Sequence, residues 1–260
     1  MIKFKCFSDI HWLRGQFLEQ YQLLNLSKPD TETELVILAG DIDLDIEHTP
    51  PKIISALRRY FPVAKIIFVP GNHNGEHYNP KTQNLLEDFG LDAWLDNSEY
   101  IYKGIKIYGF PYWECEAPNY INVCARNYMC WDLDRSSDMY KAIAKIPNDV
   151  DILVTHTPPY GILDTCRGTH FGSPALRSWI DNPNTNLPKY HIFGHVHESG
   201  GKILQPFDHT QYTAINAAVL NEQYNINRTA KILLKMGFHF NNKGTDDYEQ
   251  DTTTDNNSQT

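Results

Sequence analysis

The most regular feature of the chain is a set of short apolar runs that each end abruptly at polar residues. The runs lie at 3–7, 35–39, 66–69, 151–155 and 190–193. Continuous apolar runs of this length are typical of strands buried on both faces, and the gaps between them leave room for crossover helices. Helical patterns fill the first gaps, at 15–26, 51–60 and 81–89. The early part of the chain is therefore predicted to alternate strand and helix, as β-α-β-α-β.

A second group of strands is predicted later in the chain. Residues 100–102 and 105–108 flank Lys103 and Gly104, which is the pattern of a β-hairpin with a tight turn. Further β-rich runs occur at 202–204, 211–216 and 229–234. Two sheets packed face to face with helices outside would account for both groups, so we expect an α/β fold.

Length and composition favour one domain. The chain has 260 residues, of which 41% are hydrophobic, enough to bury a sizeable core. We expect a single domain over residues 1–240. The remaining residues, 241–260, are polar and acidic and cannot bury enough surface to offset the entropy of ordering, so they are predicted to be a disordered tail.

The net charge indicates which substrates the chain is expected to bind, and the cysteine pattern indicates its cellular compartment. The net charge of −9 repels polyanions, so long duplex nucleic acid is a poor candidate substrate, although a small phosphate could still be attracted by bound cations. The N-terminus has no signal-peptide pattern, and no stretch approaches the roughly 18 apolar residues of a membrane span. The five cysteines show no paired CxxC spacing, which indicates reduced thiols and a cytoplasmic location.

The polar residues that follow the apolar runs are the candidate functional residues, because ligands bind at the carboxyl ends of strands in α/β sheets. They are Asp9, His11, Asp41, Asn72, His73, His156, His195 and His197. All are types that bind or serve divalent metals. In extended backbone, residues two apart point to the same side, so Asp9 with His11, and His195 with His197, can each face one pocket.

Each of these motifs has a plain structural alternative. A lone Asp-x-His can be a hydrogen-bonded surface pair, and a lone Gly-Asn-His can be a turn. Five such motifs in one order, each at a predicted strand end, favour a metal site instead. The glycines at 40, 71 and 194 fit this interpretation, because each permits a tight turn and close approach of the backbone to a bound ion.

The ordered motifs resemble those of the calcineurin-like metallophosphoesterases. They are Asp9-Ile10-His11, Gly40-Asp41, Gly71-Asn72-His73, His156 and Gly194-His195-Val196-His197. Within that family the chain looks most like the small metallophosphoesterase-domain-containing subgroup, through three longer strings, THTPPYGILD from Thr155, GSPAL from Gly172 and INAA from Ile215. The resemblance implies a four-layer α/β/β/α sandwich, which agrees with the two groups of predicted strands.

The resemblance also implies a dinuclear site. One divalent metal would be held by Asp9, His11, Asp41 and His197, and the other by Asp41, Asn72, His156 and His195. Asp41 would then bridge the two ions, and His73 occupies the family's acid/base position. Manganese is the expected metal, with iron, zinc or another transition metal as alternatives.

Some positions depart from the family pattern or stay open. The chain lacks the Asp-Arg-Gly run that follows the Gly-Asp motif of protein Ser/Thr phosphatases, and Asn74 stands where many relatives have an acid. Asp43 or Asp45 either accepts a hydrogen bond from a ligand imidazole or lies in a solvated loop. The aromatic segment 111–140 either walls the cleft or forms a satellite hydrophobic cluster, and the cluster is the favoured interpretation. Only a segment that walls the cleft could bind substrate. It would do so by nucleobase stacking on Tyr112, Trp113, Tyr120 or Trp131, or by phosphate clamping by Arg126 or Arg135.

The expected function is metal-dependent hydrolysis of a small phosphodiester, with cyclic nucleotides suggested by the subgroup. A phosphomonoesterase of the same fold is the alternative enzyme. A DNA nuclease is disfavoured by the acidic charge, and a catalytically silent binding scaffold is disfavoured because every motif residue is present.

Overall fold

A computed structural model describes residues 1–11, 28–42, 52–77, 80–113, 136–227, 229–230 and 237–240. The strands are β1 (Ile2–Phe7), β2 (Leu35–Ala39), β3 (Lys65–Val69), β4 (Ala93–Trp94), β5 (Ser98–Tyr102), β6 (Ile105–Phe110), β7 (Ile152–Thr155), β8 (Thr165–Cys166), β9 (Thr169–His170), β10 (Tyr190–Phe193), β11 (Ile203–Leu204), β12 (Thr213–Asn216) and β13 (Phe238–Phe240). The α-helices are α1 (Lys52–Tyr60), α2 (Pro80–Asp88), α3 (Ser136–Ile143) and α4 (Pro174–Ile180). Two 3-10 helices span Asn72–His77 and His197–Ser199.

The strands form two large mixed sheets. The first has the order β13-β1-β2-β3-β4, in which β1 to β4 run parallel and β13 is an antiparallel edge. The second has the order β11-β12-β10-β7-β6-β5, with parallel central strands and antiparallel edges. A small hairpin of β8 and β9 stands apart from both sheets.

The alternation of side chains along the central strands explains why the sheets stack. In β2, Ile37 packs into the core between the two sheets, whereas its neighbour Leu38 packs against the helices on the outer face. In β7, Val154 points into the same inter-sheet core and Leu153 points outward. Because successive strand residues face opposite sides, continuous apolar runs bury both faces of each sheet.

Helices cover the two outer faces. The apolar side of α1, with Ile53 and Leu57, packs on the first sheet, and Leu86 of α2 joins the same cluster. Met139 of α3 and Leu176 of α4 pack on the second sheet. The order of layers is therefore helix, sheet, sheet, helix, which confirms the predicted α/β/β/α sandwich.

The fourth helix begins within one of the strings that characterise the subgroup. Ser173 is its N-cap, since the side-chain oxygen accepts a hydrogen bond from Leu176 N at 3.1 Å, and Pro174 occupies the first helical turn. Ala175 and Leu176 are fully buried. The GSPAL string therefore supplies the N-cap of α4 and two of the residues that pack in the core.

Most predicted elements are confirmed within a residue or two, including the hairpin, whose Lys103 and Gly104 both have positive φ as a type I′ turn requires. The strand predicted at 229–234 is wrong where it is described, because Thr229 lies in a turn and Ala230 is helical; the edge strand of the first sheet is β13 instead. The predicted helix 15–26 and tail 241–260 lie outside the described residues. Among the described helices, none is long and apolar enough to cross a membrane.

Candidate metal centre

The candidate residues converge from the carboxyl ends of strands in both sheets. Asp9, Asp41 and Asn72 follow β1, β2 and β3 of the first sheet. His156 and His195 follow β7 and β10 of the second sheet. The parallel direction of these strands brings all five loops to one edge of the sandwich, as expected for an α/β fold.

One group of donor atoms forms around Asp9, His11 and His197. His197 Nε2 lies 3.2 Å from Asp9 Oδ1 and 3.2 Å from His11 Nε2. His11 Nε2 lies 3.8 Å from Asp9 Oδ1 and 4.0 Å from Asp41 Oδ2. Asp9 and His11 are almost completely buried, and His197 is nearly so.

A second group forms around Asp41, Asn72, His156 and His195. His156 Nε2 lies 3.2 Å from Asp41 Oδ2 and 2.9 Å from Asn72 Oδ1. His195 Nδ1 lies 3.1 Å from the same amide oxygen. Asp41 thus stands between the two groups. Asp9, His11 and His197 bring their donor atoms within 4.8 Å of one another, and so do Asp9, Asp41 and His156.

The hydrogen bonds of two imidazoles show which nitrogen faces each group. The Nδ1–H of His156 donates to Ala39 O at 2.8 Å, and the Nδ1–H of His197 donates to Asn221 O at 3.0 Å. In the neutral rings each Nε2 therefore carries a lone pair. Those lone pairs face carboxylate and amide oxygens, which are acceptors as well.

A cation satisfies such an arrangement. When the rings are neutral, these acceptor atoms meet at about 3 Å and repel one another, and either a proton on Nε2 or a metal ion relieves the repulsion. Asp9 Oδ1 is the clearest case, because it is fully buried and receives no hydrogen bond. The imidazole, carboxylate and amide donors also match what zinc, iron and manganese accept. The residues present therefore fit a pair of divalent ions.

Electrostatics hold the two carboxylates in the ionised form. Burial by itself raises the pKa of Asp9 and Asp41, but the neighbouring imidazoles outweigh burial and bring the pKa of both carboxyl groups well below the usual range. For His156 burial lowers the pKa, yet the Asp41 carboxylate raises it overall to about 9. Burial lowers the pKa of His195 to about 4. Ligands must be deprotonated, so cation binding displaces a proton from His156.

The backbone at the site departs from the extended form assumed from the sequence. Asp9, His11, Asp41 and His195 have φ of 53°, 45°, 52° and 65°, in the left-handed region, and His197 starts a 3-10 helix. The residue pairs do face one pocket, but tight left-handed turns bring them there. Such conformations in residues other than glycine cluster at functional sites.

Two glycines are required by close contacts. A Cβ on Gly194 would overlap Ser8 Oγ and Asp9 Oδ2, and a Cβ on Gly71 would overlap Asp41 Oδ1. Both glycines thus let one loop lie directly against a ligand from another loop, as the sequence indicated.

His73 lies at the edge of the site and is more exposed than its neighbours. Its side chain is 22% exposed, against 2% for Asp41. His73 Nε2 is 4.0 Å from Asp41 Oδ2, and the His73 backbone N–H donates to Asp41 Oδ1 at 2.9 Å. The ring is thus next to both groups and open to solvent.

Three supporting residues were missed by the sequence analysis. Asn74 Oδ1 accepts hydrogen bonds from the backbone N–H groups of Asp41 and Gly71, both at 2.9 Å, and so joins two ligand loops. Ser8 Oγ lies 2.7 Å from Asp9 Oδ2. Asn221 accepts the His197 hydrogen bond through its backbone carbonyl, a contact that no sequence motif marks.

Of the aromatic segment 111–140, the structure describes residues 111–113 and 136–140. The Trp113 ring lies 6.0 Å from the His195 ring, at the site, whereas Tyr112 packs with Phe110 in the core. Tyr112 and the fully buried Met139 thus favour the hydrophobic cluster, and Trp113 favours the cleft wall. The other residues proposed for this region or for the loop after Asp41 lie outside the described residues, namely Tyr120, Arg126, Trp131, Arg135, Asp43 and Asp45.

The α/β/β/α sandwich, with two groups of candidate metal donors at its strand ends, agrees with what the motif resemblance implied, a metal-dependent phosphoesterase. The chain belongs to the calcineurin-like phosphoesterase family, whose family model matches residues 2–199. This result confirms the family resemblance read from the motifs.

Relatives in animals place the chain near the expected subgroup. A UPF0046 protein of Caenorhabditis elegans is 28% identical over 235 residues, which cover 85% of this chain and 71% of that protein. Metallophosphoesterase domain-containing protein 1 of Homo sapiens is 31% identical over 197 residues, covering 73% of this chain and 51% of that protein. The aligned part thus spans about half of the human relative. A crystal structure of the protein TT1561 from Thermus thermophilus has a TM-score of 0.49 and 14% identity, covering 83% of this chain and 88% of that chain.

Proposed function

We propose that the chain hydrolyses small phosphodiesters with the help of two divalent metal ions. The observation that carries the proposal is the pair of buried donor groups, in which Nε2 of His156 lies 3.2 Å from Asp41 Oδ2 and Nε2 of His197 lies 3.2 Å from Asp9 Oδ1. Such groups are costly to bury unless a cation joins them. Membership of a family of metal-dependent phosphoesterases supplies the reaction class.

The proposed ligands divide into two sets that share Asp41. One set is Asp9, His11, Asp41 and His197, and the other is Asp41, Asn72, His156 and His195. When bound, two such ions would supply an activated water as nucleophile and neutralise charge on the phosphoryl group. Ser8, Ala39 and Asn221 orient the ligands through the hydrogen bonds described above.

His73 is proposed as the group that protonates the leaving oxygen. Its partial exposure leaves room for a substrate, and its backbone hydrogen bond to Asp41 fixes the start of the side chain next to the bridging carboxylate. An imidazole can donate a proton near neutral pH, and a positioned acid of this kind contributes about 10²–10⁴ in rate.

The substrate class proposed is a small phosphodiester, with cyclic nucleotides as the first candidates because of the subgroup resemblance. Trp113 beside His195 offers an aromatic face on which a base can stack. The net charge of −9 disfavours duplex nucleic acid. Manganese is the proposed metal, since the carboxylate and amide ligands suit it.

Metal analysis together with substrate screening tests the proposal. The purified chain would be assayed for bound metal by mass spectrometry and for hydrolysis of bis-p-nitrophenyl phosphate in Mn²⁺. A panel of cyclic nucleotides and p-nitrophenyl phosphate would follow. We expect two ions per chain and faster turnover of diesters than of monoesters. Preference for the monoester would make the chain a phosphomonoesterase, and fewer than one ion with no turnover would indicate a binding scaffold.

A reducing, cytoplasmic environment is proposed for the protein. Cys6 and Cys166 are free thiols, and burial raises the pKa of the Cys6 thiol to about 12, which keeps it unreactive. Subcellular fractionation tests this location, and recovery in a secreted fraction would contradict it.

A further inference from the structure

The hairpin at residues 219–227 contacts the candidate metal centre although it lies beyond the segment matched by the family, residues 2–199. Leu220 and Ile226 form an antiparallel bridge that closes the hairpin, and Asn227 N donates to Val219 O at 2.9 Å. The site residues recognised by the motifs all lie before this hairpin in the chain. Its contribution is therefore separate from the motif residues.

Two contacts tie the hairpin to His197. The Asn221 carbonyl accepts the Nδ1–H of the imidazole at 3.0 Å, and the Asn227 side-chain amide donates to the His197 carbonyl at 3.0 Å. The hairpin thus holds both the ring and the backbone of one proposed ligand. Because the carbonyl can only accept, the first contact sets the tautomer of the neutral ring.

A turn inside the hairpin fixes the position of that carbonyl. The Asn221 side-chain Oδ1 accepts from the backbone N–H groups of Gln223 and Asn225, both at 3.0 Å. The Asn221 carbonyl also accepts from the backbone N–H of Tyr224 at 2.8 Å, and the Asn221 N–H donates to Asn225 O at 2.7 Å. The side chain of Asn221 therefore shapes the loop whose carbonyl reaches His197.

Tyr224, at the tip of the turn, packs against the same part of the site. Its ring lies 5.1 Å from the His11 ring and 5.7 Å from the His197 ring, at interplanar angles of 83° and 85°. Such edge-to-face contacts are the favoured geometry for aromatic rings. The tyrosine has a φ of 59°, which is unusual for a bulky residue and is maintained by the hydrogen bonds of the turn.

We propose that the 219–227 hairpin is a positioning element of the metal centre, in which Asn221 holds His197 with Nε2 toward the ligand group and the Tyr224 ring supports His11 and His197. This inference rests on the proposed function, because it concerns binding by the same ligands. Hydrogen-bond partners of ligating imidazoles fix ring orientation, and their loss typically weakens metal binding by about 10–100-fold.

Zinc binding by the metal-free full-length chain provides the test, with Zn²⁺ titration by calorimetry as the first readout. Asn221→Ala removes the turn acceptor and is expected to weaken one of two Zn²⁺ sites by about tenfold or more. Asn221→Asp keeps an oxygen at the same place and should restore binding. Asn182→Ala is the matched control, because Asn182 Oδ1 caps a similar but exposed turn through Asn184 N at 3.0 Å.

A second readout separates positioning from general stability. In the Zn²⁺-loaded wild type, NMR should show a slowly exchanging Nδ1–H on His197, and Asn221→Ala should lose that signal while the fold persists by circular dichroism. Tyr224→Phe should bind like the wild type, and Tyr224→Ala should bind more weakly. Coordination of His197 through Nδ1 in the wild type would overturn the inference without any variant.

The outcomes distinguish the two proposals. The hairpin inference alone would be overturned if the wild type bound two ions and the Asn221→Ala variant bound them with equal affinity and an unchanged His197 signal. A wild type that binds less than one ion would overturn the proposed function and the inference with it.

Discussion

His191 provides a quantitative test of the buried polar structure next to the metal centre. It lies in the middle of β10, is fully buried, and its two ring nitrogens contact Tyr212 OH at 2.7 Å and Thr155 Oγ1 at 3.0 Å. The Thr155 hydroxyl donates to Thr157 O at 2.6 Å. The neutral ring with hydrogen on Nε2 therefore satisfies every group, as expected of a histidine inside an apolar strand.

Protonation of this ring is unfavourable in the folded state. Burial lowers the pKa of His191 from 6.5 to about 3. Below pH 6.5 the unfolded chain therefore binds a proton that the folded chain does not, so the free energy of unfolding falls as the pH drops toward 3. At 1.36 kcal/mol per pH unit, the loss between about pH 7.5 and about pH 5 is about 2 kcal/mol.

The variant His191→Gln removes this titration. Urea unfolding followed by circular dichroism, in EDTA so that metal binding does not contribute, would compare the two chains at both pH values. We expect the stability advantage of the wild type over His191→Gln to shrink by about 2 kcal/mol on acidification. Asn182→Ala, an exposed substitution without a titrating group, is the control. An advantage that is the same at both pH values would refute the assignment of a neutral, buried His191.

Further predictions concern the metal centre itself. His73→Ala should retain both ions and lose about 10²–10⁴ in kcat, measured with bis-p-nitrophenyl phosphate; full activity would contradict the acid role. Asp41→Ala should lose metal as well as activity, measured by mass spectrometry, because it removes a donor shared by both sets. Gly194→Ala should weaken metal binding, since the added Cβ overlaps Ser8 Oγ and Asp9 Oδ2, and unchanged affinity in a titration would contradict the close approach. EDTA should lower the free energy of unfolding by about 3–4 kcal/mol relative to saturating Mn²⁺, and an equal stability in denaturant titration would contradict a resident metal.

The strand ends could be predicted from the sequence because the signal is local. The run 35–39 is apolar at every position, and the chain leaves the sheet after it. Asp41 can therefore be assigned to the carboxyl end of this strand without knowledge of the other strands. The same argument applies to Asn72, His156 and His195. Their convergence then follows from the parallel order of the strands. The range 1–240 as one domain stays a prediction.

Features that depend on distant contacts could not be predicted. The left-handed backbone at Asp9 and His11 is stabilised by partners from other loops, such as the bond from His11 N to Asp41 O at 3.1 Å. The edge strand β13 has only three residues, too few to predict from the sequence, and it forms a strand by pairing with β1. Asn221 accepts the His197 hydrogen bond through its backbone carbonyl, a group that every residue has, so the sequence does not reveal that contact.

The proposed ligands are divided between the two sheets, so the proposed metal centre depends on how the sheets stack. The first sheet supplies Asp9, Asp41 and Asn72, and the second supplies His156 and His195, which come more than one hundred residues after Asp9 in the chain. A chain that has formed only its first sheet lacks these imidazoles and cannot complete either ligand set. On the proposed ligand sets, either ion can therefore be bound completely only after the two sheets have stacked.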